Sequence, residues 1–272
     1  MKLLFSEARS DYANYIFPYA IWAFPEKGEK IASIFSQGFL PSSAQLDRFY
    51  LCRQIRVDLP RYKPSSENRR IIRKGAGISV KLIPRKDFEF TTHRRDFYKN
   101  YADIKYGRDV MTHERLEKLF QSKIVSHILL LTDESTQLEV GVATLYLEQP
   151  SIGYYYYAFY DLNYYPRNLG MYMMTSAVEI LAQKGFQHLY LGTCYSSNAL
   201  YKAQFLGSEF FNGFSWSNNL KELKYLIERD QNPVTRHLLE TEDYLDKFHG
   251  ANLPKLVQNS ALKIHLDDET HG

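Results

Sequence analysis

IGYYYYAFYDLNYYPRNLGMYMMTSAVEILAQKGFQHLYLGTCYSSNALYKAQFLGSEFFNGFSW, residues 152–216, is the stretch that decides the fold. It opens with nine residues that are apolar or aromatic apart from Gly153, the pattern of a strand buried on both faces. A loop with Pro166 follows, then a helical segment from Leu169 to Lys184 stopped by Gly185. Met174, Val178 and Leu181 mark one face of that helix. Leu169, Met173 and Ile180 add apolar character on another side, so the helix is expected to be largely buried. FQHLYLG (186–192) then reads as a second strand, TCYSSN (193–198) as a loop, ALYKAQF (199–205) as a short helix and 208–216 as a strand. Strand, helix and strand in this order predict a parallel pair joined by a crossover in a mixed sheet.

Upstream, Ile128–Thr132, Val140–Glu148 and Ile152–Tyr160 form a strand-rich run. Phe97, Tyr101 and Ile104 repeat at helical spacing between Thr92, read as an N-cap, and Gly107. Thr112 caps a second helix carrying Leu116, Leu119 and Phe120. Before Pro84 the chain reads as short strands and turns, including 49–52 and 54–58, with a helix opening at Ser65 or Ser66 and closing at Gly75. Beyond Asn218 it is helical and more acidic. The expected class is α+β: a mixed sheet flanked by helices, with a smaller N-terminal β-rich domain. The expected divisions are residues 1–84, 85–220 and a helical extension, 221–272.

The chain has 272 residues, 44% of them apolar and 24% charged, enough to build a core and against global disorder. Two cysteines exclude a disulfide framework or a four-cysteine metal site within the chain. His93, His113 and His127 lack metal-ligand spacing. No apolar run approaches the ~18 residues of a membrane span, and Glu7, Arg9 and Asp11 break the apolar start, so no signal-peptide core is expected. The expected setting is the cytoplasm, with no membrane partner.

The formal charge of +3 hides an asymmetry. Between Arg53 and Arg108 sixteen Lys/Arg face six Asp/Glu, a local +10. Arginine dominates and aromatics are interleaved, which favours a polyanionic, phosphate-rich partner over a merely solvated surface.

Around Arg167-Asn168-Leu169-Gly170, a helix N-terminus beside an arginine offers N–H groups to an anion. Strand, R-x-x-G and helix resemble the cofactor loop of GNAT-type acyltransferases, but Tyr172 stands where that loop has Gly or Ala. A tyrosine there is expected to obstruct pyrophosphate, leaving the scaffold with a different acyl donor.

A closer resemblance rests on several motifs in order. They are Tyr160-Asp161 at a strand end, Asn168-Leu169-Gly170 at a helix start, Leu189–Gly192, and Tyr201-Lys202-Ala203-Gln204-Phe205. Gln37-Gly38-Phe39, Phe49-Tyr50, Arg56–Pro60, Tyr62–Ser65 with Arg69-Arg70, Phe97-Tyr98 and Tyr101 continue the pattern upstream. Over roughly residues 15–215 the chain resembles the aminoacyl-tRNA–protein transferases, the arginyl- and leucyl-transferases of the N-end rule pathway. Where that family carries a cysteine cluster, this chain has Cys52 alone.

The resemblance implies transfer of arginine or leucine from aminoacyl-tRNA to the α-amine of proteins beginning with Asp or Glu, marking them for degradation. The ester is already activated, so no metal, covalent nucleophile or cofactor beyond the aminoacyl-tRNA co-substrate is expected. Tyr201, Lys202 and Gln204 are the candidate catalytic residues. Tyr160, Asp161, Arg167, Asn168, Gly170 and Tyr172 are candidates for substrate binding, and Arg61, Arg69 and Arg70 for the tRNA path. Tyr156, Tyr160 and Tyr164 are candidates for stacking on the terminal adenosine, and Arg167 or Lys202 for an acidic acceptor. On the residues alone, Tyr201 and Lys202 read equally well as a core aromatic and a solvated lysine. Asp161 reads as well as a turn residue, Cys194 and the tryptophans Trp22 and Trp216 as core. Two other functions fit the same residues: an acetyl-coenzyme A-dependent GNAT N-acetyltransferase, and a non-catalytic RNA-binding relative.

Overall fold

The computed structural model describes residues 1–262. In chain order the elements are β1 (Lys2–Glu7), β2 (Tyr19–Phe24), α1 (Ile31–Ser36), β3 (Phe39–Pro41), β4 (Phe49–Leu51), β5 (Gln54–Asp58), α2 (Ser66–Lys74), β6 (Ile78–Pro84), α3 (Thr92–Tyr106) and α4 (His113–Phe120). Then come β7 (His127–Asp133), β8 (Glu139–Glu148), β9 (Ile152–Tyr160), α5 (Leu169–Gln183), β10 (His188–Thr193), β11 (Ser208–Phe211), β12 (Trp216–Ser217), α6 (Leu220–Arg229), α7 (Glu242–His249) and α8 (Leu253–Gln258). Short 3₁₀ segments, Leu162–Arg167 and Ser197–Gln204, flank α5 and β10.

The strands pair into an antiparallel sheet of order β1-β2-β4-β3 and an eight-stranded sheet of order β12-β11-β5-β10-β9-β8-β7-β6. β9 and β10 are the parallel pair expected from the crossover through α5; the other described pairs are antiparallel. The class is therefore the expected α+β, a large mixed sheet flanked by helices beside a smaller antiparallel one.

Strand pairing crosses the expected boundary at residue 84. β5 inserts between β10 and β11, and β6 forms the edge beyond β7. The smaller sheet is made within residues 2–51, and only Cys52 and Arg53 separate its β4 from β5 in the larger sheet. The expected strand 208–216 is a hairpin. The Asn212 side chain accepts from the Phe214 and Ser215 amides and turns the chain between β11 and β12.

Each face of the large sheet carries a core. On one lie Val57, Leu129, Leu145 and Leu189, covered by Leu169, Met173, Ala177 and Leu181 of α5, with Ile71 of α2 and Leu226 of α6. On the other lie Ile128, Val142, Phe159 and Tyr190, covered by Phe35 of α1, Tyr98 of α3 and Phe120 of α4. This two-sided burial is why β9 reads as an unbroken apolar run.

The caps follow ordinary chemistry. Ser65 and Asn68 form a reciprocal capping box at the start of α2. Thr91, not the expected Thr92, caps α3, because its hydroxyl accepts from the Arg94 amide. The tryptophans are half-buried rather than core, each beneath a guanidinium: Arg48 lies 5.5 Å from the Trp22 ring centroid and Arg56 3.8 Å from that of Trp216.

His188 on β10 is half-buried, and its pKa is pushed down to about 4 by burial and by Arg56, partly opposed by Asp58 and Glu209. An unfolded histidine titrates near 6.5. The unfolded chain therefore takes up a proton below that pH which the folded chain refuses, and stability falls as pH drops from about 6.5 toward about 4. Replacing His188 with Gln is expected to flatten that decline in denaturant melts across the window. An unchanged slope would assign the acid loss to other groups.

Candidate aminoacyl-transfer site

β9 and β10 pair in register only at His188–Tyr190 against Ile152–Tyr154. A bulge between Tyr190 and Gly192, with Gly192 at φ +85°, then turns β10 aside. Parallel strands that part at their carboxyl ends leave a crevice. Here that crevice is a cavity of about 1100 Å³. The carboxyl half of β9 lines it through Tyr155, Tyr156, Tyr157 and Tyr160; the start of α5 through Asn168, Leu169, Gly170 and Met171. The end of α3 and the loop after it contribute Tyr101, Lys105, Tyr106 and Met111, and the 3₁₀ segment after β10 contributes Asn198, Tyr201 and Lys202.

Among the described residues the lining carries eight tyrosines, two lysines and no carboxylate. Burial raises the pKa of Tyr101, Tyr155 and Tyr201, and takes Tyr106 to about 12. These phenols are protonated at neutral pH, so they act as hydroxyl donors and stacking faces. The rings of Tyr101 and Tyr160 stand 4.8 Å apart between centroids.

α5 begins without a side-chain cap: Asn168 sits in the left-handed region at φ 56°, and its side chain makes no capping bond. The first N–H groups of a 15-residue helix are thus unsatisfied by a cap at the cavity wall, with the positive end of the helix dipole behind them. Gly170 has a definite reason to be glycine: a Cβ there would lie 2.9 Å from the Tyr160 hydroxyl. Tyr160 thus fills the side-chain space that Gly170 leaves empty.

Lys202 is half-buried, with Nζ donating to the Thr193 carbonyl at 2.9 Å. Burial lowers its pKa, partly opposed by Cys194. Gln204 stands behind the wall, its Nε2 3.5 Å from the Met171 sulfur. The cavity thus brings together Tyr160, Asn168, Gly170, Tyr201 and Lys202, with Tyr156.

Other expected site residues lie elsewhere. Tyr172 is buried in the core against α2; its hydroxyl donates to the Ile78 carbonyl at 2.9 Å and its ring fills the space beside Gly75. It does not obstruct the start of α5, because its position on the helix turns it away from the cavity. Asp161 caps the following 3₁₀ segment, accepting from the Asn163 amide at 2.9 Å. Arg167 is engaged by the Lys74 and Ala76 carbonyls and lies 3.8 Å from Asp133. Tyr164 donates to the same Asp133, whose pKa is held at about 2 chiefly by Ser135 and by this phenol. Cys194 is a fully buried thiol with a raised pKa. Cys52 is buried too, its pKa up at about 12.

About half of the basic run is engaged by partners within the molecule. Arg53 pairs with Asp230, Arg56 and Arg61 with Glu209, Arg70 with Glu67, Arg94 with Glu139 and Arg95 with Glu117. Arg69 donates to the Pro64 carbonyl, and Arg85 to those of Phe120 and Phe88. The cations left exposed without such partners among the described residues are Lys63, Arg73, Lys74, Lys81, Lys86, Lys105 and Arg108. Lys105, Tyr106 and Asn198 are lining residues that the sequence analysis missed. Lys105 falls one turn beyond Tyr101 on α3, the spacing that places two side chains on one helix face.

No family model matches the chain. It is 22% identical over 207 residues to the aspartate/glutamate leucyltransferase of Ruegeria pomeroyi, covering 75% of this chain and 72% of that protein. To the aspartate/glutamate leucyltransferase of Alkalilimnicola ehrlichii it is 26% identical over 179 residues, covering 62% and 72%. The chain is similar to the aminoacyl-tRNA–protein transferases. Its relatives are named as enzymes, in agreement with the resemblance carried by the motifs around Tyr160, Gly170 and Tyr201. Among solved structures, a GCN5-related N-acetyltransferase from Sphaerobacter thermophilus aligns at a TM-score of 0.37 with 14% identity, over 65% of this chain and 51% of that one. Among the described residues no helix is long and apolar enough to cross a membrane, and no cluster of His, Cys, Asp and Glu could hold a metal ion.

Proposed function

We propose that this protein transfers leucine from leucyl-tRNA to the N-terminal α-amine of acceptor proteins beginning with Asp or Glu, without a cofactor. The observation that carries the reading is the cavity at the parting of β9 and β10, tyrosine-rich, cationic and, among the described residues, free of carboxylates. A nucleoside end stacks on exposed tyrosine faces. Lysines suit phosphate and acidic acceptors. The lining favours leucine over arginine: Val110, Met111, Leu169, Met171 and Met174 bury an aliphatic side chain, whereas a guanidinium meets two lysines and no counter-charge. The name shared by the two relatives supports the same choice.

In the proposed reaction the neutral α-amine attacks the ester carbonyl carbon. A C–N bond forms, the C–O bond to the ribose breaks, and the amine proton ends on the ribose hydroxyl. The uncapped N–H groups of α5 and the Lys202 ammonium face the oxyanion. The Tyr201 hydroxyl, protonated at neutral pH, accepts the amine proton as it donates its own to the leaving oxygen. Gln204 supports the Met171 wall. The exposed Lys63, Arg73 and Lys74 beside α2 take over the expected tRNA path, since Arg61, Arg69 and Arg70 are already engaged.

The test is label transfer. The protein is incubated with an Asp-starting peptide and tRNA charged with labelled leucine or arginine, or with labelled acetyl-coenzyme A. Leucine is expected to move to the peptide. Acetyl transfer would return the site to the acetyltransferase reading. Binding of charged tRNA with no transfer would make the protein a non-catalytic RNA-binding relative.

A further inference from the structure

The two cations of the cavity are held differently. Lys202 lies inside, tied to the Thr193 carbonyl. Lys105 is exposed on the last turn of α3, with Nζ 5.2 Å from the centroid of the exposed Tyr165 ring, which belongs to the segment preceding α5. A ring face attracts an ammonium without using up its N–H donors. Two other cations of these segments are committed: Lys99, at i−6 on the same helix, is engaged by Asp103 and the Arg108 carbonyl, and Arg167 by backbone carbonyls and Asp133. Among the described residues no carboxylate lies within 4 Å of Lys105.

We propose that Lys105, steadied on Tyr165, is the residue that selects acidic acceptor N-termini, pairing its ammonium with the side-chain carboxylate of the acceptor's first residue. This rests on the transfer reading above and adds its specificity determinant. The carboxylates of Asp and Glu stand at different reaches from the α-carbon. A compact charge on a flexible four-carbon stem follows both, which a rigid guanidinium fork does less well. The cation sits at the cavity's edge while the α-amine continues inward toward the start of α5.

The test uses two peptides that differ only in beginning with Asp or Asn, which are isosteric and differ in charge. Binding to the full-length protein is measured by calorimetry, alongside transfer from leucyl-tRNA. The wild type is expected to prefer the Asp peptide by about 10- to 100-fold, the range of a charge-assisted hydrogen bond. Lys105→Met is expected to bring the Asp peptide down to the Asn level, and Lys105→Arg to restore most of the preference. Lys105 is exposed, so melting curves of the variants are expected to overlay the wild type. No preference in the wild type, or equal Asp binding by Lys105→Met, overturns the assignment. So does a loss seen in KM for leucyl-tRNA and not in peptide affinity. A wild type that binds the Asp peptide through Lys105 but moves no leucine keeps the selectivity and removes the transfer reading.

Discussion

Lys202→Met is expected to lower kcat for transfer about 100-fold or more while leaving the fold intact. The ammonium sits half-buried in the cavity wall, and in the proposed reaction it faces the carbonyl oxygen as that oxygen gains charge. Removing one such preorganised donor costs about 10²–10³ in rate. Methionine keeps most of the stem volume, so the packing beside Gly192, whose Cβ position would lie 3.7 Å from Nζ, is preserved. Single-turnover transfer from leucyl-tRNA, read with peptide saturating, separates chemistry from binding. A rate within threefold of the wild type would remove Lys202 from the reaction and leave it a structural tie to Thr193.

Gly38→Ala is expected to destabilise the protein by about 3 kcal/mol, the sum of a left-handed backbone penalty of about 1 and overpacking of about 1–3. Gly38 lies in the turn after α1 at φ +94°, and a Cβ there would come within 2.4–2.6 Å of the Phe211 ring. That ring cannot retreat. It is fully buried and packs edge-on against Trp216, whose indole N–H donates to the Ser36 carbonyl at 2.7 Å. For a chain of this size the melting temperature is expected to fall by about 6–12 °C. A shift under 2 °C would mean that the contact between the two sheets relaxes freely. The Gln37-Gly38-Phe39 motif therefore has a structural cause that is independent of any chemistry at the cavity.

What was legible in the sequence followed local rules. Period and breakers place β9, α5 and β10 because each element states its own hydrophobic pattern. The helix caps at Ser65 and Thr112 are also local. What was not legible depends on partners distant in the chain. Nothing local says that β5 enters between β10 and β11, or that five of the ten arginines between Arg53 and Arg108 meet Glu117, Glu139, Glu209 and Asp230 from outside the run. Charge counted in a window cannot see carboxylates brought in by folding. Tyr172 was misassigned because a motif alignment gives a position on a helix but not the face; three residues past Leu169, it faces α2. Lys105 is not legible locally because the ring it contacts, Tyr165, lies sixty residues later.

The most direct measurement is the structure of the protein bound to a CCA trinucleotide carrying a non-hydrolysable 3′-leucylamide. The leucyl group is expected against Met171 and Met174, its carbonyl oxygen toward the start of α5, and the adenine on the Tyr156–Tyr160 side of the cavity. Density for the ligand outside this cavity, or its displacement from the cavity by coenzyme A, would contradict the account.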